Sequence, residues 1–387
     1  MNVRSLLAVV ALAAPAAALG TGNLIKVPQD FATIQEAVNA AADGDTIEIG
    51  AGTYSEAVLV DGFTGLTLRA KGKVVIDAND GAALLTLVGC TDCVVEKLRA
   101  EDGPGHGILV AASSGCTLSK CRVEDVFGDG IRVEDSSSIT VEKCTIRGAG
   151  VDAIALNEGA GALPTGCVLT RNKCFSPGDD GLDFNGSDCL VEKNLVHMAV
   201  EDGLDISDSP PGSGNLFQSN KFVKPGVVGI LVNGADNMVL ENKVIQSGER
   251  GIYVVSGAGH VVQGNTLVKT GNDAVKVEDE GLGTAVLDNK CRKAGDDGIE
   301  VDGPDVVVDG NKISGADEDG VEVDGTGGAY VGNTANGCKA DGFHVSEGTG
   351  NTLSGNKAHG NKGFDLNDES GGTNTIADDN KFGTEST

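Results

Sequence analysis

Acidic residues occupy matching positions in two successive segments of the chain, within residues 179–208. Seven carboxylates are involved, and they are Asp179, Asp180, Asp183, Glu201, Asp202, Asp205 and Asp208. Calcium takes about six to eight oxygen ligands in a tolerant geometry, so carboxylates from neighbouring segments can converge on one ion. This arrangement predicts a calcium site made of four side chains: Asp180, Asp183, Asp202 and Asp205. The alternative is a solvated acidic surface that binds no metal.

An acidic residue also precedes most of the glycines that open these segments. The column holds Asp129, Asp152, Asp180, Asp202, Asp273, Asp297, Asp319 and Asp341. A short Asp side chain can accept hydrogen bonds from backbone N–H groups in a turn, which predicts a structural role for the column. Stacked carboxylates bridged by divalent cations are the functional alternative.

Arg250 takes the place of the acid in one segment, close to other cationic and aromatic residues. Tyr253 follows three residues later, and Lys276 has the equivalent outward position one segment further on. This group is expected to bind an anionic sugar, with Tyr253 and Lys276 as substrate-binding residues and Arg250 as the candidate catalytic residue. The alternative is that Arg250 neutralises the neighbouring Asp273 or Glu249.

These residues recur because the chain consists of repeats that would wind into successive coils. Twelve repeats open with Gly or Ala before an apolar-x-apolar segment, as in GDGIRVED and EDGVEVDG. The openings are Gly107, Gly130, Ala153, Gly181, Gly203, Gly229, Gly251, Ala274, Gly298, Gly320, Gly342 and Gly363. Their mean step is about 23 residues, which is typical of a solenoid whose coils are stable only when stacked.

A second column identifies the kind of solenoid. It reads Cys121, Cys144, Asn172, Asn194, Asn220, Asn242, Asn265, Asn289, Asn311, Asn333, Asn356 and Asn380. An amide carries both a donor and an acceptor, so stacked Asn side chains can bond one another and the backbone of a tight bend. The column resembles the asparagine ladder of right-handed parallel β-helices, the pectate-lyase-like superfamily. The resemblance implies an all-β fold, a single right-handed parallel β-helix of about 12 or more coils.

The resemblance also implies a function. In similar secreted pectate lyases an acidic site bridges calcium to a uronate, and an Arg or Lys removes the proton next to the carboxylate. We therefore expect a protein that binds or acts on acidic polysaccharide, with calcium as its cofactor and lyase-like activity if it is an enzyme. Two longer repeats, which contain GAGALPTG and SPPGSG, flank the acidic residues and indicate a cleft. The alternative is a non-catalytic extracellular structural or adhesion protein, which the regular spacing and the absence of Trp favour.

The N-terminus carries a different pattern. Arg4, an apolar run over residues 6–14 and three alanines at 16–18 have the order of a secretory signal peptide, residues 1–18. This predicts a secreted or periplasmic protein in which residues 19–387 form one β-helix domain. Thr33 and Glu36 have capping-box spacing ahead of a helical apolar pattern, so a short helix is expected to cap the solenoid within residues 24–44. This segment is similar to the entry sequence of pectin methylesterases, but the catalytic motifs of those enzymes do not follow it.

Charge and cysteine content restrict the partners further. A formal net charge of -28 opposes binding to nucleic acid or to an anionic membrane, and no later segment is apolar for long enough to insert into a bilayer. The expected partners are polysaccharide or extracellular matrix, and the chain is expected to be a monomer. The chain has ten Cys, and six of them fall in two shared columns, which predicts buried free thiols, with disulfides between neighbouring coils as the alternative. His344 is expected to be a surface residue.

Overall fold

The structure is a computed structural model that describes residues 22–386, apart from residues 79, 158, 160 and 207–210. The predicted signal peptide, residues 1–18, and Asp208 of the acidic group lie outside the described residues. The described chain winds into a single right-handed parallel β-helix, which confirms the predicted all-β fold. Two sheets of 28 and 15 strands run along it, and each coil adds one strand to the 15-stranded sheet.

The 15-stranded sheet carries the acidic segments. Its strands are Val58–Asp61, Ala83–Val88, His106–Ala111, Ile131–Glu134, Ile154–Asn157, Leu182–Phe184, Leu204–Asp205, Ile230–Val232, Ile252–Ala258, Val275–Leu282, Ile299–Val301, Val321–Val323, Phe343–Val345, Leu366–Asp368 and Glu385–Ser386. Successive side chains of a strand point to opposite faces, so the apolar positions fill the core and the residues between them point outward.

The 28-stranded sheet wraps around the rest of the core. Its strands are Leu24–Val27, Thr46–Tyr54, Thr67–Ile76, Val94–Glu96, Arg99–Glu101, Thr117–Ser119, Arg122–Val126, Thr140–Glu142, Thr145–Ala149, Val168–Thr170, Lys173–Phe175, Leu190–Glu192, Leu195–His197, Leu216–Gln218, Lys221–Val223, Met238–Leu240, Lys243–Ile245, Val261–Gln263, Thr266–Val268, Ala285–Leu287, Lys290–Arg292, Val307–Asp309, Lys312–Ser314, Ala329–Val331, Thr334–Asn336, Thr352–Ser354, Lys357–His359 and Thr375–Ile376. Each coil over residues 94–359 contributes two of these short strands, separated by a bend, and the last coil contributes one, Thr375–Ile376.

A helix, Ile34–Ala40, caps the N-terminal end as predicted. The Thr33 hydroxyl accepts the Glu36 N–H at 3.1 Å, and the Glu36 carboxylate accepts the Thr33 N–H at 3.3 Å. Glu56 adds a second cap from the next segment, since its two oxygens accept the N–H groups of Ile34 and Gln35 at 2.7 and 2.9 Å. The apolar side of the helix is buried and closes the open end of the core.

The predicted asparagine ladder runs from Asn172 to Asn380 and is confirmed. Each ladder residue donates its backbone N–H to the Oδ1 of the Asn one coil further on, at 2.8 to 2.9 Å. The side-chain amide nitrogen donates to a core-facing carbonyl, as Asn242 does to Phe217 O at 2.8 Å. The backbone N–H and the side-chain amide of Asn242 are therefore both paired within the bend.

A second, mixed ladder lies at another bend, and sequence analysis did not find it. The Asn215 N–H donates to Asn237 Oδ1 at 2.9 Å, and the Asn237 N–H donates to Nδ1 of His260 at 3.3 Å. His260 is fully buried, and its Nε2 lies 3.0 Å from Ser256 O. Burial lowers the pKa of His260, so the neutral imidazole accepts where an Asn would and donates to a carbonyl.

All ten Cys are free and buried, which confirms the predicted thiols. Burial raises the pKa of Cys174 and Cys291 to about 12, so both are held as unreactive thiols.

The opening glycines lie where one coil meets the next. At Gly130 an added Cβ would lie 2.4 Å from Cγ2 of Ile146 and 2.6 Å from the carbonyl oxygen of Ala153. Ala153 does carry a Cβ, and in its coil the strand position of Ile146 is held by the smaller Cys174. In these two coils the size of the opening residue is thus matched to the side chain that faces it across the core.

The predicted opening at Gly363 is wrong by two residues. Phe343 pairs with Leu366, so Asp365 is the residue equivalent to Gly342. Phe364 gave the apolar signal at Gly363, but it is 42% exposed, whereas Leu366 is fully buried.

Candidate functional site

The acidic column forms a buried row at the N-terminal ends of the strands of the 15-stranded sheet. The Asp180 N–H donates to Asp152 Oδ1 at 2.9 Å, and the Asp202 N–H donates to Asp180 Oδ1 at 2.7 Å. The Val228 N–H ends this run on Asp202 Oδ1 at 2.7 Å. These carboxylates accept hydrogen bonds from backbone N–H groups, as the structural interpretation predicts. The donor N–H belongs in each case to the following coil.

The acidic column places carboxyl groups close together in buried positions. Burial, with help from neighbouring carboxylates, raises the pKa of Asp152 to about 8, of Asp180 to about 9 and of Asp202 to about 7. At the start of the row burial acts on Asp129 in the same direction, but bonds from His106 and Arg132 outweigh it and lower its pKa. Burial thus favours the protonated form of Asp152 and Asp180, whereas the cationic partners of Asp129 favour its charged form.

Asp152→Asn is expected to stabilise the protein at about pH 8 and to change its stability little at about pH 4. The folded-state pKa of Asp152, about 8, lies above that of the unfolded chain. Its stabilising contribution is therefore complete at acid pH and is lost as the pH rises through about 8. Asn keeps an Oδ1 acceptor for the Asp180 N–H and stays neutral.

Guanidinium unfolding at both pH values, with chelator present, measures this difference. Asp317→Asn is the matched control, because the Asp317 carboxylate is exposed and bonded to Lys339 at 2.8 Å. Equal changes at the two pH values for Asp152→Asn would contradict the prediction.

The four predicted calcium ligands lie on two successive coils. Asp183 and Asp205 are paired in register on neighbouring strands, and Asp183 Oδ2 accepts the Asn157 side-chain amide at 2.5 Å. The tightest acidic group there is Asp179, Asp180 and Glu201, with one oxygen of each within 4.8 Å of the others. Of the four predicted ligands this group contains only Asp180, so the calcium site at Asp180, Asp183, Asp202 and Asp205 stays a prediction.

Arg250 is bonded to the protein itself. Its Nε donates to Asp273 Oδ2 at 3.1 Å, and its Cζ lies 4.4 Å from the ring centre of Tyr253. The first contact is the one that the neutralising interpretation predicts. Tyr253 donates its hydroxyl to Glu278 at 2.7 Å, and burial together with this bond raises the pKa of Tyr253 to about 12.

Lys276 is surrounded by carboxylates. Its Nζ lies 2.5 Å from Glu300 Oε1, 2.8 Å from Asp302 Oδ2 and 4.0 Å from Glu278 Oε1. Burial acts to lower the pKa of Lys276, but the bonds to Asp302 and Glu300 outweigh it and raise that pKa. The positive charge of Lys276 is therefore already balanced by carboxylates of the protein.

Five outward-facing side chains on consecutive strands form what we call the outer row. In register they are Tyr253, Lys276, Glu300, Glu322 and His344. Sequence analysis assigned a binding role only to Tyr253 and Lys276, and it expected His344 at the surface. The acidic members stand out in the repeats DDGIEV and EDGVEV, where Glu takes the outward position between two apolar residues.

His344 lies on the outward side of its strand and is partly exposed. Its Nδ1 lies 3.1 Å from Asp319 Oδ2 and 3.7 Å from Glu322 Oε1, and its Nε2 lies 3.9 Å from Glu369 Oε1. Carboxylates of neighbouring coils therefore surround the ring at this outward position.

The first of the two insertions is held against the preceding coil. Asp135 Oδ1 accepts the N–H groups of Gly159, Gly161 and Ala162 at 3.0, 2.9 and 3.0 Å. Part of the second insertion, residues 207–210, lies outside the described residues. Among the residues that are described, no helix is long and apolar enough to cross a membrane.

The chain matches one protein family in three overlapping stretches, residues 55–182, 106–267 and 228–382. The family is described as the right handed beta helix region. No match was found among curated protein sequences.

Several solved structures share the fold at low sequence identity. One is the mannuronan C-5 epimerase AlgE6 A-module of Azotobacter vinelandii, with a TM-score of 0.62 and 15% identity over 91% of this chain and 93% of that chain. The receptor-binding tailspike of bacteriophage Det7 has a TM-score of 0.58 and 13% identity over 86% and 73% of the two chains. The catalytic unit of an alpha-1,3-glucanase from Streptomyces thermodiastaticus has a TM-score of 0.51 and 16% identity over 95% and 72%.

Proposed function

The chain belongs to the right-handed beta helix family, and from this membership we propose that it binds an acidic polysaccharide along the outer row of the 15-stranded sheet. The outer row is the observation that carries the proposal. Strands of one sheet lie about 4.8 Å apart, so its five side chains extend over about 19 Å in a straight line. An evenly spaced array of polar groups on an open face suits a linear polymer better than a small molecule.

Calcium is proposed to join the polysaccharide to the protein. A chain with a net charge of -28 repels a polyanion, and the cations Arg250 and Lys276 are bonded to protein carboxylates. Asp183 and Asp205 continue the register of the outer row toward the N-terminus, with Asp205 two strands before Tyr253. A divalent cation held by these two residues with their neighbours would reverse the local charge at this end of the row and leave positions for sugar carboxylates.

The named activities of similar structures support this proposal. A mannuronan epimerase and a glucanase act on polysaccharides, although their identities to this chain are 15% and 16%. The N-terminal pattern at residues 1–18 supports export to the periplasm or the medium, where such polymers occur. We further propose that the chain works as a monomer.

A non-catalytic structural or adhesion protein is the second candidate. It is favoured because Arg250 and Lys276 are already bonded to carboxylates of the protein. Elimination at a uronate needs a base near the proton and a cation on the carboxylate. Arg250, the candidate catalytic residue, would have to leave Asp273 and Tyr253 to serve as either. The protein would then bind polysaccharide or matrix without turnover.

Calorimetry with a polyuronate, with and without calcium, tests the proposal. Binding is expected only with calcium, and Asp183→Ala/Asp205→Ala is expected to weaken it by about tenfold or more. Asp309→Ala is the control, because this exposed acid lies on the 28-stranded sheet. Binding that is independent of calcium, or equal loss in the control, would contradict the proposal.

A second measurement separates a lyase from a non-catalytic structural or adhesion protein. Only a lyase produces unsaturated uronate ends, which absorb in the ultraviolet.

A further inference from the structure

One face of the 28-stranded sheet carries cations without acids. It belongs to the second of the two short strands in each coil, from Thr145–Ala149 to Lys357–His359. None of these ten described strands contains Asp or Glu. Their exposed cations are Arg147, Lys173, Lys221, Lys243, Lys290, Arg292, Lys312 and Lys357, and we call this surface the basic face. In a chain with a net charge of -28, such a segregation of charge indicates a negatively charged partner.

The cations of the basic face are not neutralised by the protein. Over the part of the chain that the structure describes, none of them has a carboxylate oxygen within 4.0 Å of its charged nitrogen atoms, whereas Arg250 does. Lys221 pairs in register with Lys243, and Lys290 pairs with Lys312. Like charges directly opposite each other on neighbouring strands are destabilising. Anionic groups bound on this face would remove that repulsion.

Three more lysines line the bend that leads from these strands to the 15-stranded sheet. Lys224, Lys269 and Lys293 are exposed, and their backbones are left-handed, with φ of 54°, 60° and 56°. Gly315 takes the same position one coil after Lys293, with φ of 67°. The left-handed conformation is less favourable for Lys than for Gly. The chain therefore places cations here against the preference of the backbone.

A stripe of apolar side chains runs between these two columns of cations. Val223, Ile245 and Val268 point outward in register on consecutive strands, and each is half-buried. They stand between the column that contains Lys221 and the column that contains Lys224. The ammonium groups, on longer side chains, extend beyond the stripe.

The bend beside the basic face also exposes large apolar side chains. Phe127 is 78% exposed and Val200 61% exposed. Met198 holds in one coil the position that Lys224 holds in the next, since their N–H groups donate to Val223 O and Ile245 O. The exposed apolar residues of this bend, which we call the apolar bend, are Phe127, Val151, Met198 and Val200. Exposed apolar side chains next to unpaired cations are typical of an interaction surface.

This combination of side chains selects the kind of partner. A lipid surface with anionic headgroups accepts both groups, because lysines pair with the headgroups while apolar side chains enter the boundary with the acyl chains. A soluble polyanion would use the cations alone and leave Met198 and Val200 exposed. Single-stranded nucleic acid stacks its bases on rows of Phe, Tyr or Trp, and the outward side chains of the ten strands include one such residue, Phe175.

Acids border the basic face without lying on it. At the ladder bend, Glu241 accepts the Ser219 hydroxyl at 3.3 Å, and Asp288 accepts the Gln263 amide at 3.4 Å. Glu201 follows Val200 on the side of the 15-stranded sheet. Exposed charges more than about 8 Å apart are largely screened at physiological ionic strength. The net charge, from which no contact with an anionic membrane was expected, therefore does not describe this face.

We propose that the basic face and the apolar bend bind peripherally to a lipid surface that carries anionic headgroups. The ten strands lie about 4.8 Å apart, so the basic face extends over about 43 Å. The contact needs neither calcium nor polysaccharide, since its cations and apolar groups belong to the chain. The outer row lies on the other sheet and is not part of this surface.

Vesicle flotation in the presence of chelator and physiological salt tests the proposal. The wild type should bind vesicles made of equal parts of phosphatidylcholine and phosphatidylglycerol, and it should not bind phosphatidylcholine alone. Lys221→Gln/Lys243→Gln is expected to weaken binding by about tenfold or more. The control Lys71→Gln/Lys97→Gln removes exposed lysines that are bonded to Glu48 and Glu96, and it should bind as the wild type does.

The apolar contribution has its own variant. Met198→Ser/Val200→Ser is expected to weaken vesicle binding by about tenfold, because two apolar side chains no longer enter the lipid boundary. Both side chains are exposed in the protein, so the variant should fold as the wild type does, and circular dichroism checks this. Wild-type vesicle binding by this variant would overturn the proposal.

Polyuronate binding separates this proposal from the proposed function. Lys221→Gln/Lys243→Gln should retain calcium-dependent polyuronate binding, and Asp183→Ala/Asp205→Ala should bind vesicles as the wild type does. Absence of vesicle binding, equal binding to neutral vesicles, or wild-type affinity in Lys221→Gln/Lys243→Gln would overturn the lipid contact. Calcium-free polyuronate binding that requires Lys221 and Lys243, without vesicle binding, would overturn it in favour of a soluble polyanion.

Discussion

Gly229→Ala is expected to lower the free energy of unfolding by about 3 kcal/mol. A Cβ at residue 229 would lie 2.4 Å from the carbonyl oxygen of Gly251 and 2.4 Å from Cγ1 of Val244. The first contact is with the backbone of the next coil and the second is with a core side chain, so neither is relieved by moving a flexible tip. Guanidinium unfolding followed by circular dichroism measures the loss.

Val244→Cys is expected to restore part of that stability in the Gly229→Ala background. The pairing occurs naturally, because Ala274 opens the coil in which Cys291 holds the strand position of Leu267. A double-mutant cycle should therefore show a favourable coupling of about 1 kcal/mol. Gly52→Ala is the control, since its Cβ would meet only the ring of Tyr54 at 3.5 Å. Additive effects would show that side-chain size does not explain the choice of Gly or Ala.

Asn242→Asp is expected to lower the free energy of unfolding by about 3 kcal/mol at neutral pH. Asn242 Oδ1 accepts the backbone and side-chain N–H groups of Asn220 at 2.8 and 3.1 Å, and Asp would keep this role. The side-chain nitrogen donates to Phe217 O at 2.8 Å and to Asn265 Oδ1 at 3.2 Å. Asp would place a charged acceptor against these two acceptors in the core.

Acidification provides an internal check on this result. Once the introduced carboxyl group is protonated, its O–H can donate to Phe217 O. The difference in unfolding free energy between Asn242→Asp and the wild type should therefore become smaller at low pH. Asn336→Asp is the control, because Asn336 lies on the outward side of its strand and should change stability by no more than about 0.5 kcal/mol. A melting curve for Asn242→Asp that matches the wild type at neutral pH would contradict the ladder as the source of stability.

The sequence alone was sufficient for the architecture because each coil repeats the same local chemistry. Ten Asn at one position of the repeat and the capping box at Thr33 both report local requirements, and the structure has both. Sequence analysis missed the second ladder because the residue type changes along its column, from Asn237 to His260 in consecutive coils. A column is visible in a sequence only when one residue type meets its hydrogen-bond requirement throughout.

The site depends more strongly on tertiary structure. The sequence placed Arg250, Tyr253 and Lys276 on one face, and the register confirms that Tyr253 and Lys276 are neighbours. It left open whether the two cations are free, and the structure places both against carboxylates of later coils. Which acid a flexible side chain reaches depends on the packing of several coils and not on its position within one repeat.

The sequence by itself determined the period, the stacking and the acidic character of this protein, because these follow from residue types at fixed spacing. Only the tertiary structure decided that Gly130, at the start of a strand of one sheet, packs against Ile146 on a strand of the other. The two sheets meet across the core, where a side chain is opposed to residues of another part of the coil. No periodicity records that opposition, because it depends on how far each side chain extends through the packed interior.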